Sequence, residues 1–345
     1  MNFLKKRGST EEAEIPTPIK GSAERILQRV DWQIIRRLDG LLQGDYRSLF
    51  YGYGVDFADL REYQPEDDIR YIDWNVTARM DTPYVRQYME DREVTAWFLI
   101  DLSPSMDFGS NSNDKRAVLI DMVATLTRLL TRHGNRVGAI LYNGRSAGLS
   151  KKNDQNLHPI HLIPAKGGRA QVLHLINTVL RKPKLSNAPL TDLRILLDTA
   201  LNSIKKRSLI FVLSDFISTP NWEKPLTLLR QRHELIAIRL WDPHEIELPD
   251  VGPLWLEDSE TGEQMFVDTH DPFFRRKFSE ISMQRDDELV KTFRYCGVEP
   301  WSLSTGEDMV KAILRYISIR KQIHRTGNGA LVRSGTMTTT QRMGN

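Results

Sequence analysis

The chain has 345 residues, 40% hydrophobic and 27% charged, a globular composition that excludes disorder throughout and collagen-like repeats, with length for two domains or one large one. No apolar run approaches the ~20 residues of a membrane-spanning helix, and residues 1–21 mix Lys5, Lys6 and Arg7 with Glu11, Glu12 and Glu14 without the apolar core of a signal peptide, so a cytoplasmic protein is expected. The net charge of +3 is uneven, because seven basic residues and no acid follow Asp308.

The first 21 residues read as a flexible arm. Ile26, Val30, Ile34, Leu38 and Leu41 then recur at helical spacing and predict an amphipathic helix from Ser22 to Leu42, whose stripe needs a surface to cover it. From Gly44 to Glu93 the chain is rich in Tyr, Arg and Asp, and alternation around Val55-Asp56-Phe57 and Tyr84-Val85-Arg86-Gln87-Tyr88 predicts extended structure. Residues 22–93 are therefore taken as a helix followed by a small β-rich lead-in module.

From residue 94 a rhythm of strands and helices sets in. The run ending at Ile100 is a strand, the apolar positions from Ala117 to Leu130 a helix stopped by His133-Gly134, and Arg136–Tyr142 a strand. Helices follow over Gln171–Leu180, Leu193–Ile204 and Trp222–Arg232, and strands over Ser208–Leu213 and Glu234–Leu240. Residues 254–268 alternate on both sides of Glu260-Thr261-Gly262, which predicts an inserted β-hairpin. Phe273–Tyr295 and Asp308–Ile323 are closing helices around a strand at Val298–Leu303. Strands alternating with helices mean an α/β domain over residues 94–323, with a central, mostly parallel sheet flanked by helices. Residues 324–345 read as a basic, solvated tail. Cys296 stands alone, which excludes an internal disulfide, and it reads as a buried small apolar residue.

In such sheets the functional crevice lies at the carboxyl ends of the strands. Two ends carry oxygen donors: Asp101-Leu102-Ser103-Pro104-Ser105-Met106 and Ser214-Asp215-Phe216. Thr191, at the start of a helix, adds a hydroxyl, with a helix N-cap as its plainer role. Carboxylates and hydroxyls together suit a hard cation such as Mg²⁺.

D-x-S-x-S after a buried strand, with a later Thr and Asp, resembles the metal-ion-dependent adhesion site of a von Willebrand factor A (VWA) domain. The stretch from Gly52 to Tyr63, then Asp68, Arg70, Ile72-Asp73-Trp74, Ala78-Arg79, Asp101 to Met106, Thr191-Asp192-Leu193, Ser214-Asp215-Phe216 and His233-Glu234 resembles the DUF58 family of bacterial VWA-like proteins, over roughly residues 40–305. Glu66 departs from that pattern, standing where the family has a turn glycine. The resemblance implies a Rossmann-like VWA domain in which Ser103, Ser105 and Thr191 are direct ligands, while Asp101 and Asp215 hold Mg²⁺ (or Mn²⁺) directly or through water. It also implies a non-enzymatic protein-binding adaptor, with a partner acid at the remaining metal position and a MoxR-type AAA+ ATPase and a client protein as partners in assembly or maturation.

Asp56, Arg61, Asp68, Arg70, Asp73 and Arg79 belong to a mixed-charge segment. It is either a surface offered to a partner or, as close opposite charges favour, a set of mutual pairs that attaches the module. The enzymatic alternative is a Mg²⁺-dependent phosphohydrolase or phosphotransferase with Asp101 as nucleophile, but Ser103 stands where its acid–base carboxylate belongs. Nucleic-acid binding rests on the basic tail alone. No G-x-x-x-x-G-K-[ST] occurs, and His233-Glu234 fails to complete H-E-x-x-H because residue 237 is Ala; His233 reads as a satisfied residue at a helix end.

Overall fold

The computed structural model describes residues 22–42, 59–65, 67–69, 72–80, 82–87, 94–109, 114–144, 159–182 and 190–325. The N-terminal arm, the Val55-Asp56-Phe57 segment and the tail beyond Arg325 lie outside the described residues.

The first apolar stripe forms α1 (Ser22–Val30) and α2 (Arg36–Leu42), joined without a break by a π-helical turn over Asp31–Ile35. Leu27, Val30, Ile35 and Leu38 are buried in the same cluster as the core of the α/β domain. The helix that sequence grouped with the lead-in thus finds its covering surface on the main sheet's helices. Ion pairs fringe the contact: Arg128 to Asp31 at 2.9 Å, Arg37 to Asp308 at 3.1 Å, Arg132 to Asp39 at 3.2 Å, and Arg29 to Asp121. These partly exposed pairs are worth at most about 1 kcal/mol each, so the buried stripe holds the helix in place.

In the lead-in, β1 (Asp59–Glu62) pairs antiparallel with β2 (Tyr84–Gln87). The alternation at Tyr84–Gln87 is thus a strand as expected, while between the two strands Trp74–Met80 is a helix, α3, that the sequence did not announce. Asp73 starts it: its Oδ1 accepts from Val76 N at 3.3 Å and its carbonyl from Thr77 N at 2.9 Å. One capping carboxylate is enough to set the start of this short helix.

The main sheet follows in β3 (Thr95–Asp101), β4 (Arg136–Tyr142), β5 (Ile160–Lys166), β6 (Leu209–Ser214), β7 (Glu234–Trp241) and, after the hairpin β8 (Pro253–Glu257) and β9 (Gln264–Asp268), β10 (Pro300–Ser304). Its order is β10-β7-β6-β3-β4-β5, all parallel except β5, which runs antiparallel to β4 at the edge.

Because side chains alternate along a strand, β3 sends Ala96, Phe98 and Ile100 to one face and Leu99 to the other, and β6 divides Phe211 from Val212 in the same way. The first face is covered by α1, α2, α4 (Lys115–Arg132), α5 (Arg169–Arg181) and, after the last strand, α9 (Met309–Arg325). The second is covered by α6 (Leu193–Ser203), α7 (Glu223–Arg232) and α8 (Pro272–Cys296). Both faces are dry, which is why the central strands read as continuous apolar runs. Phe98 stacks on Phe211 at 5.0 Å on one side, while Phe216 meets Phe293 edge-on at 4.8 Å on the other. Cys296 is buried, as expected. Trp97 lies over Gly138, where an added Cβ would sit 2.8 Å from the indole ring. Helix α8 stops at Gly297 in the left-handed conformation, φ 66°, a stop that glycine makes without steric cost. No helix among the described residues is long and apolar enough to cross a membrane.

Candidate functional site

Strand order locates the site. From β3 the chain passes through α4 on one face to β4, whereas from β6 it passes through α7 on the opposite face to β7. The direction of winding therefore reverses between β3 and β6, and diverging loops leave a crevice at their carboxyl ends. Asp101 ends β3, and Asp215 follows β6.

Asp101 is fully buried, with Oδ1 accepting from Ser103 N at 2.9 Å and Oδ2 from Ser214 Oγ at 2.6 Å. Burial, followed by the charge of Asp215, pushes its carboxyl from 3.8 up to about 7 against those hydrogen bonds. The loop then brings the hydroxyls of Ser103 and Ser105 to 3.1 Å from one another. Asp215 is aimed by a strained turn: Phe216 adopts φ 59°, rare for a residue with a side chain, while Ile217 N donates to Asp215 Oδ1 at 3.0 Å. The Phe216 ring packs in a cluster with Trp222 and Phe293, and that burial offsets the backbone cost.

Three groups unmarked by the sequence reading complete the site. Lys115, the first residue of α4, is 0% exposed and donates to Asp215 Oδ2 at 2.7 Å and Glu245 Oε1 at 2.6 Å. Burial pulls its pKa down, but the two carboxylates outweigh that effect and raise it above the ordinary value. Glu245 and Asp215 also line a cleft of about 250 Å³ with Arg239, Trp241 and Arg285. Glu260, from the hairpin turn, accepts from Thr191 N at 2.8 Å and also from the Thr191 hydroxyl. Its carboxyl is pushed up by burial, with Asp215 adding to the effect and the Thr191 bonds opposing it. Thr191 is not the helix cap: Asp192 caps α6, accepting from Arg194 N at 3.0 Å, which frees the Thr191 side chain to face Glu260. The Thr191 carbonyl accepts from Thr219 N at 2.9 Å, tying this loop to the one after Asp215.

The five expected ligands thus gather at one end of the sheet in three bonded groups: Asp101 with Ser103, Ser105 and Ser214; Asp215 with Lys115 and Glu245; and Thr191 with Glu260. Among the described residues no set of three or more His, Cys, Asp or Glu side chains converges as a metal cage. A hard cation here would need hydroxyl oxygens among its ligands beside the carboxylates. Octahedral Mg²⁺ at about 2.0–2.1 Å from each oxygen places neighbouring ligands about 3 Å apart, the spacing of the two serine hydroxyls.

Of the charged lead-in residues, Asp56 and Arg70 lie outside the described residues, and Arg61 is placed in β1 by its backbone. Asp68 and Arg79 are exposed, while Asp73 is buried and starts α3. His233 departs from expectation: it follows α7 and is buried, but neither ring nitrogen has a hydrogen-bond partner. Burial lowers its pKa, with Arg232 and Arg207 adding to the effect.

Residues 59–288 match the model of a family described as "Protein of unknown function DUF58". The "Uncharacterized protein Rv1480" of Mycobacterium tuberculosis is 33% identical over 296 residues, covering 86% of this chain and 89% of its own. The "Uncharacterized protein MAV169" of Mycobacterium avium is 31% identical over 160 residues, covering 46% of this chain and 94% of its own. Similar solved structures include BatB from Bacteroides thetaiotaomicron, with 13% identity, 66% of this chain and 99% of that one covered, and a TM-score of 0.39. The pilus adhesin SpaC from Lactobacillus rhamnosus GG is similar at 13% identity, with 69% and 31% covered and a TM-score of 0.37.

Proposed function

The chain belongs to the DUF58 family, and we propose that it is a non-enzymatic, VWA-like adaptor that binds proteins through a metal site. In this reading Ser103, Ser105 and Thr191 hold Mg²⁺ or Mn²⁺ through their hydroxyls, and Asp101 and Asp215 hold the ion directly or through water. An open position on the ion takes a carboxylate from a partner protein. The partner class is a MoxR-type AAA+ ATPase with its client, so that ATP hydrolysis is supplied by the partner.

The observation that carries this reading is the pair of serine hydroxyls at 3.1 Å, beside a buried carboxylate and at the point where the sheet reverses its winding. Lys115 supports it, because its ammonium pairs with Asp215 and Glu245 but offsets only one of their two charges, so the site keeps negative charge for a further cation. The test is capture from host lysate by the full chain and by Asp101→Ala, each in Mg²⁺ and in EDTA. Retention of an AAA+ ATPase by the wild type in Mg²⁺ alone is expected; equal capture in all four conditions would overturn the reading.

A further inference from the structure

We propose that Glu260 is a latch: its carboxylate occupies, in cis, the Thr191 amide–hydroxyl fork that an acid bound at the ion would also use, and the β8–β9 hairpin must swing out before an acidic side chain of another protein can enter. This proposal rests on the reading of the site given above and adds its regulation.

The hairpin is an insertion in the α/β rhythm, and its two strands form a sheet of their own, apart from the main one. Along its length it is mostly open to solvent, with Trp255 66%, Met265 59% and Phe266 57% exposed. It is buried at two places. One is its root, where Val267 is buried and Thr269 donates its hydroxyl to the Gly252 carbonyl at 2.8 Å. The other is its tip, where Glu260 is 8% exposed. A hairpin anchored at its root and by one buried acid at its tip has the layout of a lever.

The contact at the tip is specific. Both Glu260 oxygens are used, one on the Thr191 amide and one on the Thr191 hydroxyl, and the two residues lie 69 positions apart in sequence. The turn is built to present that acid: Asp258 Oδ1 accepts from Glu260 N and Thr261 N, each at 2.8 Å, and Gly262 N bonds to the Asp258 carbonyl at 2.8 Å. An N–H and an O–H side by side form a fork that any carboxylate can use. While Glu260 holds it, the Thr191 hydroxyl proton is committed and an incoming acid must compete with one tethered nearby. A tethered group acts at an effective concentration in the millimolar range, so an external carboxylate is excluded until the tether opens.

The test uses the full chain and a fluorescein-labelled hexaglutamate peptide as probe, with binding read by anisotropy in Mg²⁺ and in EDTA. Four proteins are compared: wild type, Glu260→Ala, Asp258→Ala and Thr191→Ala. Asp258→Ala loosens the turn without touching the fork, and so distinguishes release of the latch from damage to the site. Glu260→Ala is expected to bind the peptide about tenfold or more tightly than wild type, Asp258→Ala to fall between them, and Thr191→Ala to gain nothing. Peptide affinity no greater in Glu260→Ala and Asp258→Ala than in wild type, in Mg²⁺ and in EDTA alike, would overturn the latch. A gain seen equally in Mg²⁺ and EDTA would keep the latch and remove the metal from the proposed function.

Discussion

Replacing Lys115 by Met is the sharpest test of the charge arrangement. The substitution keeps most of the aliphatic stem and removes the ammonium from between two acids. Lys115 and Asp215 have side chains 0% and 1% exposed, and Glu245 is 16% exposed, so water cannot replace the lost cation. The change strands a buried negative charge on Asp215 beside that of Asp101. Removing one partner of a buried pair costs about 3–5 kcal/mol, which raises the unfolded fraction by roughly two to four orders of magnitude. Urea unfolding of the full chain in metal-free buffer reads the loss directly. Adding Asp215→Asn and Glu245→Gln to Lys115→Met is expected to recover part of it, because the cost lies in the stranded charges rather than in the missing bonds. A loss below about 1 kcal/mol, the size of an exposed pair, would refute the reasoning.

Other substitutions probe the frame that holds the site. Leu27→Ala removes a fully buried side chain of α1 from the main core and should cost about 2–5 kcal/mol in the same unfolding assay; a loss of a few tenths would mean that the helix is not part of that core. Gly138→Ala places a Cβ 2.8 Å from the Trp97 ring and 3.0 Å from the Ala165 amide. It should cost about 1–3 kcal/mol and shift Trp97 fluorescence, whereas wild-type stability would show that the ring moves freely. Asp114→Ala removes the cap that accepts from Ala117 N at 2.7 Å, and a loss of about 1 kcal/mol is expected in thermal unfolding.

Much of the frame was legible because its signals are local. The strands ending at Asp101 and Ser214 are short apolar runs closed by polar loops, and that pattern places both acids at strand ends. Strand β5 was not legible: it lies at the sheet edge and carries His161, Pro164 and Lys166, so neither a continuous apolar run nor a clean alternation marks it. Helix α3 was missed because it is only seven residues long and its start depends on a single cap at Asp73, too short for a helical repeat of apolar residues to show.

At the site, Asp101, Ser103, Ser105 and Asp215 stood out because residue type and strand-end position agree, and Thr191 because it opens a helix. Lys115 and Glu260 could not be found in this way. A lysine beginning a helix reads as solvated, and its burial here depends on acids 100 and 130 residues further along. Glu260-Thr261-Gly262 reads as an ordinary hairpin turn, and the fork that holds its acid is supplied by distant Thr191. His233 shows the same limit, since a helix-end position does not reveal that neither ring nitrogen will meet a partner.

The central claim is that the serine hydroxyls and their neighbouring acids hold a divalent cation, and calorimetric titration of Mg²⁺ and Mn²⁺ into the full chain tests it most directly. The account predicts saturable binding by the wild type and its loss in Ser103→Ala/Ser105→Ala, with the unfolding midpoint of that variant in EDTA close to that of the wild type. Absence of binding by the wild type, or equal binding by the double variant, would contradict it.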